Sequence, residues 1–514
     1  MGGYLAYKLA RFLKFWFIDP QLSPLKSMPG PDNYDSLLWG DFRRILSAPP
    51  SSIYRQWFAK YGHSFSYRGM FLTRRLCTKD PKALAYILNH SSDYPKPAQL
   101  RKFLGKTFGK GIYYPLSCLL GEDHRRQRKI MNPCFGPSQV RELMPVFYDK
   151  AFELREIWLG QIETSESEGE DIDILVWLTR TTLDVIGLAG FDYDFKTLSI
   201  GEKDELIQAF MGLFNPTPTP PILPLLANAI PILQLIVLAA RSKAVMQRVG
   251  QKLVQDRRTA IAAASDTEEG KSMLQGKDLL SVLIKANMAA DIKDSERLSD
   301  EEFIGQISTM LLAGHETTST TVTWLMYELA QPDKRHIQET LRAELISVSS
   351  NRPSMEELNA LPYLDAVVRE NLRLNSAADI TTRCAGKDDY IPVGTPFVDK
   401  FGIERTEIRI AAGEQIIVPI SILNRDKEIW GDDADDFNPE RWLGGNTHPR
   451  SAELPGVFAS LMTFLGGPRS CIGYRFALME MKVLIFVLLR KVSFELQNPA
   501  PKIEKKSASV LFKL

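Results

Sequence analysis

Residues 464–473 read FLGGPRSCIG and run straight into the apolar stretch YRFALMEMKVLIFVLL, so that one thiol, Cys471, stands where a glycine-rich turn meets a helix. Gly466-Gly467-Pro468 forces a tight loop, and a helix N-terminus favours negative charge, which together favour a thiolate. Arg469 adds a cation beside it. A thiolate on a rigid loop is what a haem iron takes as its proximal ligand, because sulfur pushes electron density into the metal and favours O–O cleavage. Phe464, Gly467, Arg469, Cys471 and Gly473 hold fixed places in this frame. Such a match arises by chance roughly once in several thousand chains of this length, so a mere buried cysteine at a helix start is the poorer reading.

A second constellation interrupts residues 303–329, which otherwise have the apolar spacing of a long helix: Ala313-Gly314-His315-Glu316-Thr317-Thr318. Gly314 would let a flat ligand approach the backbone, and threonine hydroxyls can take carbonyls from the helical ladder, predicting a local kink with a polar pocket. His315-Glu316 does not begin a zinc motif, because position 319 is Ser and H-E-x-x-H fails. Cys77, Cys118, Cys134 and Cys384 form no C-x-x-C pair and read as small buried hydrophobes.

The elements that must carry these residues follow from pattern and composition. The chain has 514 residues, 44% hydrophobic, with a formal charge of +1, so it can bury a large core and has no global basic field for nucleic acid. Helical periodicity fills the middle, with polar loops at 163–171 and 265–278. Strand-like runs are confined to 64–73, 390–398, 408–410 and 415–418, too few and scattered for a parallel α/β sheet. The predicted class is mainly α with minor β. There is no G-x-G-x-x-G or P-loop, so no nicotinamide or ATP site is expected in this chain.

Residues 4–18, YLAYKLARFLKFWFI, are apolar but carry Lys8, Arg11 and Lys14 on one side of a helical wheel. That is the pattern of a basic helix lying on a membrane surface, with a truncated span or a helix packed on the core as alternatives. Met28-Pro29-Gly30-Pro31 makes a stiff turn into the body. The expected organisation is a membrane-associating segment, 1–28, and a single catalytic domain, 29–514. Residues 222–240 lack charge but contain Pro224 and Pro231, and with the proline-rich 215–221 before them they read as an irregular apolar lid or as buried core.

The frame around Cys471 resembles the haem-binding signature of the cytochrome P450 family, F-x-x-G-x-R-x-C-x-G, at every defined position. Glu370-Asn371-Leu372-Arg373 is similar to the family's E-x-x-R, and Pro439-Glu440-Arg441 to its P-E-R segment. The resemblance covers the chain from Pro29 onward and is strongest to membrane-bound fungal members. It implies the P450 fold, with haem b (iron protoporphyrin IX) between the long oxygen-side helix and the Cys loop with its following helix, and Cys471 as axial ligand. Phe464, Gly467, Ala313 and Gly314 would border the cofactor; Arg469, His124, Arg128 and Arg383 would hold its propionates, with His124 where many members have Trp. Glu316 and Thr317 would relay protons to dioxygen. Glu370, Arg373 and Arg441 would lock the Cys loop structurally. Arg125, Arg126 and Lys129 are candidates for an acidic electron donor, with solvated surface the equal reading. Asn375–Thr382 replaces the family's usual proline-rich turn, and its Asp379 would orient a polar substrate group or bond its own backbone. Further pocket walls would come from 97–120, 210–240, 308–317 and 505–510.

By that resemblance the chain is a monooxygenase oxidising a lipophilic small molecule with O2 and electrons from an NADPH–cytochrome P450 reductase. Its implied place is the endoplasmic reticulum membrane, with the catalytic domain facing the cytosol. Secondary metabolism of terpenoids or polyketides is the preferred setting, ahead of xenobiotic or fatty-acid oxidation. A haem-thiolate isomerase or dehydratase and a non-enzymatic haem sensor remain as alternatives.

Overall fold

The computed structural model describes residues 22–102, 120–166, 169–212, 231–265, 278–289, 292–444, 449–497 and 499–500, with residues 3, 7 and 503. The segment 4–18 apart from Tyr7, the stretch 213–230, most of the 97–120 wall and residues 505–510 lie outside the described residues.

The longer helices, in chain order, are α1 (Ser52–Tyr61), α2 (Pro81–Asn89), α3 (Leu120–Met131), α4 (Pro137–Thr164), α5 (Ile174–Phe191), α6 (Glu205–Gly212), α7 (Pro231–Ser265), α8 (Leu279–Met288), α9 (Asp300–Leu329), α10 (Arg335–Ser347), α11 (Pro362–Leu374) and α12 (Tyr474–Leu489). The strands are β1 (Ser64–Arg68), β2 (Arg74–Thr78), β3 (Thr381–Cys384), β4 (Asp389–Val398), β5 (Glu404–Ile410) and β6 (Gln415–Val418). The class is mainly α with minor β, as the patterning predicts. Helix replaces the expected irregular course from Pro231 onward. A proline at the first helical position gives up an N–H that has no intrahelical acceptor there, so it starts this helix instead of breaking it.

Two compact units share the chain: residues 1–97, 369–471 and 502–514 form one, and 98–368 and 472–501 the other. In the first, the strands order β1-β2-β6-β3, with β2 and β6 parallel and the other pairs antiparallel. β4 and β5 form a separate hairpin. Trp57 and Phe58 of α1 pack edge-on against Phe65 of β1, at ring-centroid distances of 5.7 and 4.9 Å. Asp80 caps α2 through the Ala83 N–H and also accepts the Gly394 and Thr395 N–H groups, tying the hairpin to that helix.

In the second unit, α9 packs against α5, α7 and α12, and α12 packs on α4. Phe147 and Phe476 meet edge-to-face at 4.9 Å across the α4–α12 contact. Ser299 and Glu302 form a capping box at the start of α9, whose first turn holds Asp300, Glu301 and Glu302 where the helix dipole favours anions. Among the described residues, α5 has the length and hydropathy of a membrane span, but 61% of it is buried within the protein.

Glu480 of α12 is 1% exposed, and the Thr318 hydroxyl of α9 approaches it without closing a hydrogen bond of ordinary geometry. Burial raises this carboxyl well above the ordinary 4.5, so the folded chain holds its proton where the unfolded chain has lost it. Stability therefore falls as pH rises above about 4.5, until the folded-state carboxyl itself ionises. Relative to Glu480→Gln, the wild type is expected to lose up to about 1.4 kcal/mol per pH unit across that window and nothing below it. Thermal unfolding of both proteins from about pH 4 to about pH 8 checks this, and a constant difference would contradict it.

Candidate active site

The Cys471 loop is built from short turns. A 3-10 turn, Met462–Phe464, leads into Leu465 at φ 55°, and a second, Gly467–Arg469, precedes the thiol. The Cys471 N–H donates to Phe464 O at 2.8 Å, closing the loop, while the side chain stays exposed. Both glycines are required by close approach. A Cβ on Gly466 would sit 1.6 Å from Pro455 O, and one on Gly467, at φ +70°, would sit 2.6 Å from Leu88 O. Gly473 then N-caps α12.

The loop rests on a fully buried ion pair. Arg373 spends all five of its N–H donors: Nε and Nη2 on the Glu370 carboxylate at 2.8 and 2.7 Å, and the rest on the carbonyls of Asn424, Ala434 and Asp436. Glu370 also accepts the Asn438 N–H and Trp442 Nε1, each at 2.9 Å. Arg441 completes the set, 3.5 Å from Glu370 and 2.6 Å from Asp433. Two residues that sequence reasoning missed carry this rigidity to the Cys loop. Asn424 bonds Met462 N and the Thr463 hydroxyl, and that hydroxyl donates to Leu372 O at 2.6 Å. The only signal for them would be the fold itself, since neither lies in a motif.

Arg383 and Arg469 are brought together as the sequence predicts, and Lys96 joins them without any prior signal. Burial and the two guanidinium charges push the Lys96 ammonium down to about 7. Burial and Arg469 likewise hold Arg383 down to about 10. Arg383 is anchored on β3 by its bonds to Thr381 Oγ1 and Thr382 O, at 3.0 and 3.1 Å. Gathering like charges away from water is unfavourable by itself and suits a ligand with buried carboxylates.

In the second unit, α9 runs unbroken through residues 313–318. The expected disturbance takes the form of side chain to carbonyl bonds: Thr317 Oγ1 donates to Ala313 O, and Thr321 Oγ1 to Thr317 O, both at 2.7 Å. His315 is buried, with Nδ1 2.6 Å from Leu311 O. Ala313, Glu316, Thr317 and Thr320 share one half-exposed stripe at helical spacing. A Cβ on Gly314 would meet Ile186 of α5 at 2.8 Å, so the glycine lets α5 and α9 pack closely.

His124 and Arg128 lie half-buried on α3. Arg126, offered above as a docking charge, is turned inward: it pairs with Glu302 at the start of α9, and Gln127 bonds the same carboxylate at 2.9 Å. Lys129 pairs with Glu296 at 3.2 Å, whereas Arg125 is exposed. Asp379 is buried and accepts Ser421 Oγ, from a serine just beyond β6, at 2.5 Å.

Residues 30–513 match the family model for cytochrome P450. The chain belongs to the cytochrome P450 monooxygenase family. It is 46% identical over 496 residues to cytochrome P450 monooxygenase 205 of Postia placenta, covering 95% of this chain and 89% of the relative. Cytochrome P450 monooxygenase 128 of the same fungus is 41% identical, with 98% and 91% covered. A ganoderic acid synthetase of Ganoderma lucidum is 34% identical, with 94% and 90% covered. P450 enzymes use a haem with a thiolate ligand, dioxygen, a redox partner and a small-molecule substrate, and the Cys471 loop with its buried cations has the donor chemistry such a group needs.

Two substitutions test this architecture. Arg373→Ala, which leaves Glu370 buried and unbalanced, is expected to cost about 3–5 kcal/mol of stability in chemical unfolding, and Arg373→Lys is expected to recover little because an ammonium cannot reproduce the five-donor fork. Gly314→Val is expected to destabilise by about 1–3 kcal/mol, with Ile186→Ala restoring part of the loss; additive effects would refute the α5–α9 contact as its cause.

Proposed function

We propose that Cys471 is the thiolate ligand of haem b and that the chain hydroxylates a lipophilic small molecule, with electrons passed from NADPH by a separate reductase. The observation that carries this is the Cys471 loop itself: an exposed sulfur on a backbone held by the Phe464 carbonyl and by two glycines that admit no side chain. Bound there, haem supplies dioxygen activation. Lys96, Arg383 and Arg469 would neutralise its propionates and lose their mutual repulsion in doing so, with His124 and Arg128 as further partners.

Glu316 and Thr317 would handle protons. The Thr317 hydroxyl donates to Ala313 O, so it must rotate away from the helix to deliver its proton, and Glu316, one residue before it on the same stripe, would resupply it. Phe464, Gly467, Ala313 and Gly314 would shape the cofactor's surroundings.

Residues 4–18 would hold the enzyme on the endoplasmic reticulum membrane, with the body in the cytosol. Secondary metabolism is the preferred setting: the Ganoderma relative's name places that enzyme in ganoderic acid synthesis, and the apolar stretch 222–240 suits a terpenoid or polyketide.

The carbon monoxide difference spectrum of the reduced protein is expected to show the red-shifted band of thiolate ligation, and Cys471→Ser to lose it. An unchanged band in the variant would overturn the ligand assignment. Thr317→Ala is expected to keep that band and substrate binding but to divert NADPH into peroxide; full coupling would remove Thr317 from the proton route.

A further inference from the structure

Close to the cluster of Lys96, Arg383 and Arg469 stands a pair of phenols that the proposed reaction does not use. Tyr94 is 1% exposed, and its hydroxyl donates to Asp389 Oδ2 at 2.8 Å. Tyr86 of α2, half-buried, donates to the same oxygen at 3.2 Å. The two rings meet edge-to-face with their centroids 6.2 Å apart. The exposed His90 ring lies over Tyr86 at a centroid distance of 4.2 Å, its Nδ1 2.8 Å from Tyr86 O. A line of rings thus leads from the core to water.

The inner end of that line is fixed beside the cations. Tyr94 precedes Lys96 by two residues, so their Cα atoms lie within about 7 Å of each other. The Cys384 N–H donates to Pro95 O at 2.8 Å, which ties this segment to β3, the strand that carries Arg383.

Protonation suits the pair to losing an electron. Burial and the bond to Asp389 push the Tyr94 phenol up, so it keeps its proton. Burial would raise the Asp389 carboxyl too, but the bonds from Tyr94, the Tyr390 N–H and Tyr86 hold it below the ordinary range, so it is ionised. Oxidation makes a phenol O–H strongly acidic, and here a base is already in hydrogen-bond reach to take the proton. Tying β4 to α2 needs the aspartate and one phenol. It needs neither a second phenol on the same oxygen nor an imidazole stacked beyond it.

We propose that Tyr94, Tyr86 and Asp389 form a one-electron relay that reduces the haem once peroxide has oxidised it with no substrate in place. This rests on the haem reading given above and adds to it a second outlet for oxidising equivalents. Tyr94 gives its electron to the oxidised haem and its proton to Asp389, leaving a neutral phenoxyl radical. Tyr86 then gives an electron to Tyr94 and its own proton to Asp389, while Asp389 returns the first proton to Tyr94. The carboxylate carries one proton before and after that exchange. The radical on Tyr86 ends by taking a hydrogen atom from a soluble thiol, and Asp389 releases its proton to water.

The test mixes the substrate-free holoprotein with hydrogen peroxide and freezes it for electron paramagnetic resonance, with the carbon monoxide band of each protein as the check on bound haem. A tyrosyl signal is expected in the unsubstituted protein, and its loss in Tyr94→Phe and in Asp389→Asn. In Tyr86→Phe the signal is expected to persist and to resist quenching by glutathione. Should Tyr94→Phe bind no haem, 3-fluorotyrosine in place of Tyr94 is expected to split the signal through its fluorine. An undiminished signal in Tyr94→Phe, an unsplit one from the fluorinated protein, or no signal where the red-shifted band is intact would overturn the relay and leave the haem reading standing. Absence of that band from the unsubstituted protein would overturn both.

Discussion

Everything around Cys471 depends on the buried pairing of Glu370 with Arg373. Burying two charges is costly, and it becomes tolerable only when each lone pair and proton finds a partner. Here both conditions are met: the guanidinium's donors reach the carboxylate and three carbonyls from the segment 424–436, while the carboxylate takes a backbone and an indole N–H as well. The pair thereby gathers otherwise irregular chain around one point. That chain carries Asn424, which in turn holds Met462 and Thr463 at the base of the loop. A loop with little regular structure is thus given the rigidity that a fixed metal ligand requires.

The second unit solves a related problem by packing. Helix α9 contains more threonine and serine than a buried helix ordinarily favours, and it accommodates them by returning hydroxyl protons to carbonyls one turn back. Those bonds leave the ladder intact but give it hydroxyls able to exchange partners. The close fit of α5 at Gly314 and the pressure of α12, with its buried Glu480 beside Thr318, hold the helix on its other sides.

Legibility in the sequence varied with how local the cause was. The loop 464–473, the run that became β6 and the length of α9 are set by residue types acting on near neighbours, and all were readable. β2 and β3 were not: Arg74 and Arg75, and the polar Thr381–Thr382, hide strands that exist because β6 offers both its edges. Lys96 carries no motif, and its depressed basicity comes from burial and from two arginines far away in the chain. Arg126 looked like surface charge because the carboxylate that claims it, Glu302, is distant in sequence.

By itself the sequence determined the family, the chemistry and the candidate ligand, because a thiol among glycines with an arginine beside it carries its meaning in consecutive residues. Only the tertiary structure decided what each side chain touches. It set Gly314 against Ile186, brought Ser421 to Asp379, and left the tip of the β4–β5 hairpin in solvent beside Ser27. The physical reason is that burial and partner choice are properties of the assembled chain: a side chain's desolvation and its hydrogen bonds are set by whichever remote segments arrive beside it.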